Sequence, residues 1–270
     1  MRGTGRVSLA SVEARWEPVL AEAGTDALGL GEQMFALVDA WDASGALRRA
    51  LSDPAVGADV KAGVVHRLLE DADPRIVAAA EQIVSCWWSS QYDLAEAATQ
   101  LGMDALLASA ESRGDLDRVE QELFEVTRAF AGQRELRRTL HDTTIPASVR
   151  ADLVEGIVGT DIAPATRVLV RRAAGAPRGR RFIAALGDVI ELFATRRNRR
   201  VATVTSAAPL DESQRARLVE VLTGALGRKV QLNVLVDPRV LGGLRVQAGP
   251  DVIDATVLAR LAEARRRLAG

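Results

Sequence analysis

The chain has 270 residues, 48 % apolar and 26 % charged, with a net charge of −1, the proportions of an ordinary folded protein rather than a disordered or fibrous one. One cysteine and two histidines exclude an internal disulfide framework and are too few for a His/Cys zinc site. Aromatics are only 4 % while Ala, Leu, Val, Arg and Glu abound, which favours helices over β-sandwiches.

No apolar run approaches the roughly 18 residues of a membrane span. No apolar stretch follows Met1-Arg-Gly-Thr-Gly, so no signal peptide is expected, and work at a membrane would go through a partner. Divided by segment, the net charge is −11 over 1–133, +7 over 134–200 and +3 over 201–270. Such asymmetry predicts modules that face different partners, or two halves that attract one another.

In chain order, Leu28 to Ala43 carries Leu30, Met34, Leu37, Val38 and Trp41 at helical spacing, a stripe of period 3.6. Ala46 to Leu51 reads as a short helix ending before Ser52-Asp53-Pro54. Ala58 to Leu69 places Val60, Val64, Val65, Leu68 and Leu69 on one side. Asp73-Pro74 opens a further helix, since proline at the first position forfeits no intrahelical bond. That helix contains Ile76, Ala80, Ile83, Val84 and Trp87.

The scheme then recurs. Ala46-Leu-Arg-Arg-Ala-Leu-Ser-Asp53 matches Glu135-Leu-Arg-Arg-Thr-Leu-His-Asp142 at an offset of 89. The same offset lays Phe35 on Phe124 and Val60–Leu69 on Val149–Val158. Three patches at one spacing predict a duplication. Ala163-Pro164 is the second copy's counterpart of Asp73-Pro74. Two helices, Leu94 to Ser112 and Leu116 to Phe130, join the copies, the last of one bundle merging with the first of the next.

After Arg200 the pattern changes. Val201-Ala-Thr-Val-Thr-Ser206 reads as a strand, and Asp211-Glu-Ser-Gln214 has capping-box spacing before a helix through Leu226. Val230 to Val236 alternates as a second strand. Gly242-Gly243 is a turn, and Leu244-Arg-Val-Gln247 a third strand that Val252-Ile253 extends. Asp254 caps a final helix, Val257 to Leu268. The expected fold is mainly α: two tandem small helical bundles, 1–110 and 111–200, followed by a small α/β module, 201–270.

No motif for chemistry stands out. Gly224 to Lys229 lacks the glycine spacing and the Ser/Thr of a phosphate loop, so Gly227 reads as a helix C-cap. His66 and His141 pair with no nucleophile, and Cys86 beside Trp87-Trp88 reads as a small buried hydrophobe in a helical stretch. Arg178-Gly-Arg-Arg181 and Arg196-Arg-Asn-Arg-Arg200 could contact nucleic acid. Few aromatics interleave them, and a solvated helix end or a salt-bridging protein interface is favoured. An enzyme using Asp237 and Asp254 is the third possibility, and neither cofactor nor metal is expected.

Asp237-Pro238-Arg-Val-Leu-Gly242-Gly243, then Leu244-Arg-Val-Gln and Asp251-Val-Ile-Asp254, resembles the C-terminal signature of ATP synthase δ subunits, the family of the mitochondrial oligomycin-sensitivity-conferring protein. Val204 to Leu210 is similar to the family's entry into this module. The resemblance covers about 111 to 270 as a complete δ subunit, with 1–110 as an extra bundle. One departure is Ala255-Thr256, where the family has Gly-Ser after the last Asp. The resemblance implies a non-catalytic peripheral-stalk stator. It would link N-terminal helices of the head's α subunits to the C-terminus of a b-type stalk, on the cytoplasmic side of the cell membrane, without binding nucleic acid. The candidate partner contacts are Phe124, Arg137, Arg138, Arg196 and Arg197. A nucleic-acid-binding helical regulator using the arginine runs is the alternative.

Overall fold

The computed structural model describes residues 3–226, 230–237, 240, 242–248 and 251–254. The expected final helix, the Gly227 cap and Pro238 lie outside the described residues. The chain divides into two compact units, Met1–Ile190 and Glu191–Gly270.

Helices occupy the chain as far as Arg200: α1 Thr4–Ala23, α2 Ala27–Ala43, α3 Gly45–Ser52, α4 Ala58–Leu68, α5 Pro74–Ser85, α6 Gln91–Arg113, α7 Leu116–Ala131, α8 Arg134–His141, α9 Ala147–Val158, α10 Pro164–Gly175 and α11 Phe182–Arg200. Advanced by 89 residues, the bounds of α2, α3, α4 and α5 fall within one residue of those of α7, α8, α9 and α10. Helix α1 likewise overlays α6, and α6 overlays α11. A six-helix unit is therefore present twice, with α6 serving as the last helix of one copy and the first of the next.

Local chemistry accounts for the boundaries. The Ser44 hydroxyl accepts the Leu47 N–H at the start of α3, and the Asp73 carboxylate accepts the Arg75 N–H ahead of Pro74, each satisfying a donor the helix leaves open. Helix α5 ends at Ser85, so Cys86 and both tryptophans follow it rather than lying within it. Trp88 is buried and donates its indole N–H to the Ile83 carbonyl. Trp87 is 51 % exposed.

Each copy has its own core. Trp16, Leu20, Leu30, Met34, Val38, Trp41, Val65, Ile76 and Ile83 fill the first. Val119, Leu123, Val126, Phe130, Leu140, Val154 and Leu169 are buried in the second. Trp41 and Phe130 stand at matching positions, and the Phe130 ring lies 4.9 Å from that of Phe182. Every residue from Leu101 to Ala110 is buried, because the shared helix is covered on all sides.

Two glycines bring α2 against α6. A Cβ on Gly31 would lie 2.9 Å from the Gly102 carbonyl oxygen, and one on Gly102 would lie 2.6 Å from the Phe35 ring. Across α1 and α6, Trp16 donates its indole N–H to the Leu101 carbonyl.

The second unit holds strands β1 Val201–Ser206, β2 Gln231–Val236, β3 Leu244–Ala248 and β4 Asp251–Asp254, with α12 Glu212–Leu226 between β1 and β2. The sheet order is β2-β1-β3-β4. β1 pairs in parallel with β2 and antiparallel with β3. Val252-Ile253 does not extend β3; it belongs to a fourth strand antiparallel to it, with Ala248 opposite Asp251. Ala202, Val204 and Ser206 are buried at alternate positions of β1. Leu222, Val230 and Val246 complete this core with Leu218 and Leu244 against it. Asp211 and Gln214 cap α12 reciprocally: the Gln214 N–H donates to the Asp211 carboxylate at 2.8 Å, and the Asp211 N–H to the Gln214 side-chain oxygen at 3.1 Å, the expected capping box.

Candidate functional site

In the first unit two sets of exposed apolar side chains lie on matching helices. Val60 and Leu68 on α4, and Val149, Leu153 and Ile157 on α9, are exposed. They stand at i, i+4 and i+8, with Val64 half-buried between the first pair, so one stripe runs along the outer side of each helix. The stripe on α4 was legible as a helix face, but Val65 and not Val60 or Leu68 is what enters the core.

Phe124 on α7 is 47 % exposed, whereas its counterpart Phe35 is 5 % exposed. The difference comes from neighbours. Phe35 lies against Gly102 and under the Arg172 guanidinium, 4.8 Å from its ring centre. Between α7 and α9 a groove of about 500 Å³ is lined by Gln121, Glu125 and Val126 of α7 and by Ile157 and Val158 of α9, and Phe124 is not part of that lining. Arg118, Glu122 and Asp161 rim it, and the Glu122 carboxylate accepts from the Ala163 N–H and the Thr166 hydroxyl.

The Arg178–Arg181 run divides. Arg178 donates to the Ala95 carbonyl and pairs with Asp42 at 3.2 Å, and burial pushes its pKa down from the usual arginine value against the pull of Asp42 and Glu96. Arg180 bridges Glu96 and Asp188, while Arg172 pairs with Asp39 at 2.6 Å. These cations of the second copy bind carboxylates of the first. Part of the charge asymmetry is thus spent inside the molecule. Arg181 instead lines a cavity with Arg134, Arg137, Arg138 and His141.

Of the remaining expected contacts, Arg137 and Arg138 are exposed on α8, and Arg196 is 6 % exposed on α11. The Arg197 side chain lies outside the described residues. In the second unit Asp237 donates its N–H to the Ser206 carbonyl and accepts from the Val240 N–H. Gly242 and Gly243 have φ of 114° and 81°, conformations that side-chain-bearing residues resist. Asp237 follows β2 and Asp254 ends β4, the two edge strands. Three strand spacings, about 14 Å, part their backbones, so they do not form a carboxylate pair. An apolar concavity of about 430 Å³ lies between Leu210, Leu218, Val221 and Leu244.

The profile of the ATP synthase delta (OSCP) subunit family matches residues 104–268. A protein of Beutenbergia cavernae described as ATP synthase subunit delta is 50 % identical, with 100 % of each chain covered. The family is decided. The chain belongs to the ATP synthase delta (OSCP) subunit family. Proteins of the same description from Kineococcus radiotolerans, 40 % identical over 99 % of this chain and 98 % of that one, and from Thermobifida fusca, 39 % identical over 100 % of both, agree.

The family profile begins within α6 and takes in the second copy and the sheet-bearing unit. The full-length relatives extend across the first copy as well. The chain is a peripheral-stalk component of ATP synthase, and among the described residues no helix is long and apolar enough to cross a membrane. Sequence reasoning missed the partition of the arginines and the exposure of the α4 and α9 stripes. The carboxylates that receive Arg172, Arg178 and Arg180 belong to Asp39, Asp42 and Glu96, too far along the chain for any local pattern to reveal.

Proposed function

We propose that the chain is a non-catalytic stator connector, holding the catalytic head against torque by burying helices of its neighbours. Three modules divide the work: 1–110 an added bundle, 111–200 the bundle that grips N-terminal helices of the head's α subunits, and 201–270 the module that takes the C-terminus of a b-type stalk. The complex holds it on the cytoplasmic side of the cell membrane. The observation that carries this is the exposed stripe Val149, Leu153, Ile157 on α9, whose Ile157 end lines the α7–α9 groove, together with the separately exposed Phe124 on α7. An amphipathic helix laid into a groove reads its host through apolar anchors at this spacing. In the second unit the concavity at Leu218, Val221 and Leu244 supports the stalk assignment.

A specific observation favours a second reading, in which the added bundle does the gripping. The second copy's α10 is met by Phe35 and Asp39 of the first copy. The matching place on the first copy, where the Ser8 hydroxyl donates to the Trp87 carbonyl, leaves Val7 and Trp87 exposed.

Calorimetry with a synthetic peptide, copied from the N-terminal helix of the head's α chain, decides. Binding accompanied by a gain of peptide helicity supports the connector. Loss of binding in Phe124→Ala/Leu153→Ala places it on the second copy, and loss in Trp87→Ala on the first. Flat titrations against both this peptide and the C-terminal segment of the b-type stalk would remove the proposal's basis.

A further inference from the structure

Arg134, Arg137, Arg138, His141 and Arg181 surround a cavity of about 280 Å³ floored by Phe182 and Ile183. Among the described residues no carboxylate lines it. The described ion pairs of this copy involve Arg118, Arg167, Arg171, Arg172, Arg178 and Arg180, and none of the four guanidinia at the cavity.

The duplication supplies an internal control. At the same place in the first copy, Arg48 (the counterpart of Arg137) donates to the Trp41 and Asp42 carbonyls and to the Asp42 carboxylate. Its guanidinium also lies 5.7 Å from the centre of the Tyr92 ring. The first copy therefore neutralises and covers its arginine from within. In the second copy Ala131 stands where Asp42 does, and Phe182 where Asp93 does. Arg134 and Arg181 replace Gly45 and Tyr92. At these positions two arginines and two aspartates have become four arginines, while elsewhere along α8 Ala46 gives way to Glu135 and, just past its end, Asp142 keeps the place of Asp53.

Arg138 feels the nearby Asp142 carboxylate, but like charges gathered round a concavity with no carboxylate in its lining still repel one another, and a bound anion reverses the sign of that term. We propose that this cavity binds a polyphosphate anion. Guanidinium forks match phosphate oxygens two at a time, and a short phosphate chain offers oxygens in all directions to cations on both α8 and the start of α11. A single peptide carboxylate would engage one fork and leave the others unpaired. The volume lies near the lower end of small-molecule sites, about 300 Å³, which suits a phosphate chain better than a helix. Phe182 and Ile183 give a floor that excludes water beneath it.

The test is calorimetric titration of the full chain with inorganic tripolyphosphate and, separately, with a nucleoside triphosphate. Saturable binding of one anion per chain is expected, weakening as salt rises. Arg137→Ala/Arg181→Ala should weaken it at least about tenfold, as loss of charge-assisted hydrogen bonds does. Arg49→Ala, in the first copy, should leave it unchanged, and circular dichroism should show both variants folded. Equal affinity for the two ligands assigns the site to the phosphate chain alone, and tighter nucleotide binding assigns it to the nucleotide. Absence of saturable binding, affinity unaltered in the double variant, or preference for a polyglutamate peptide would each overturn the proposal.

Discussion

Arg150 sits in the second copy's interior, 7 % exposed, at the position Lys61 holds in the first copy, 6 % exposed. Its guanidinium donates to the Leu140 carbonyl at 3.1 Å and to the Gly175 carbonyl at 3.0 Å. Both oxygens lie in the last turn of a helix, α8 or α10, where the backbone leaves acceptors open and the dipole favours a cation. Arg150→Met keeps the apolar stem and removes both bonds, so unfolding free energy should fall by about 2–4 kcal/mol, measured by urea denaturation. Asp73 makes a pH-dependent contribution. The Arg75 side-chain hydrogen bond, opposed by burial and aided by the Arg75 backbone N–H, holds its carboxyl below the usual 3.8. A depressed folded pKa means stability that is present above the unfolded value and lost as pH falls through the folded one. Asp73→Asn, which retains the cap but not the charge, should therefore lower stability near neutrality and flatten its further loss as pH falls below 3.8, the two proteins converging in acid.

Helix by helix, the sequence carried most of the fold. Periodicity, proline at helix starts and the repeated Leu-Arg-Arg motif located the helices and their duplication, because these are local features with a period. Val252-Ile253 was misjudged because continuing a strand and reversing into another use the same β-branched residues. The closeness of α2 to α6 was also hidden, since Gly31 and Gly102 look like weak points in a helix until the partner backbone is in view. Gly102→Ala places a methyl 2.6 Å from the Phe35 ring and should cost about 1–3 kcal/mol through overpacking. Gly187, in α11, has nothing within 4 Å of its missing Cβ. Gly187→Ala should instead stabilise by about 0.5–1 kcal/mol through helix propensity. Paired thermal melts separate the two, and equal effects would contradict the close approach.

For the whole molecule, duplication produced two scaffolds of one design with different surfaces. The first copy spends Asp39, Asp42 and Glu96 on the second copy's arginines, and the second keeps an exposed Phe124 and an arginine-lined cavity. Of the candidate contacts expected from the sequence, Phe124, Arg137 and Arg138 are exposed, whereas Arg196 is buried. Engagement of Arg178 was not legible because it depends on Asp42 and Ala95, far off in the chain. A stator subunit acts only in its complex, so the decisive measurement for the proposed connector is ATP synthesis driven by an imposed proton gradient in membrane vesicles depleted of this chain. Synthesis should be lost on depletion and return when the purified chain is added back. Vesicles that remain fully coupled without it would contradict the account.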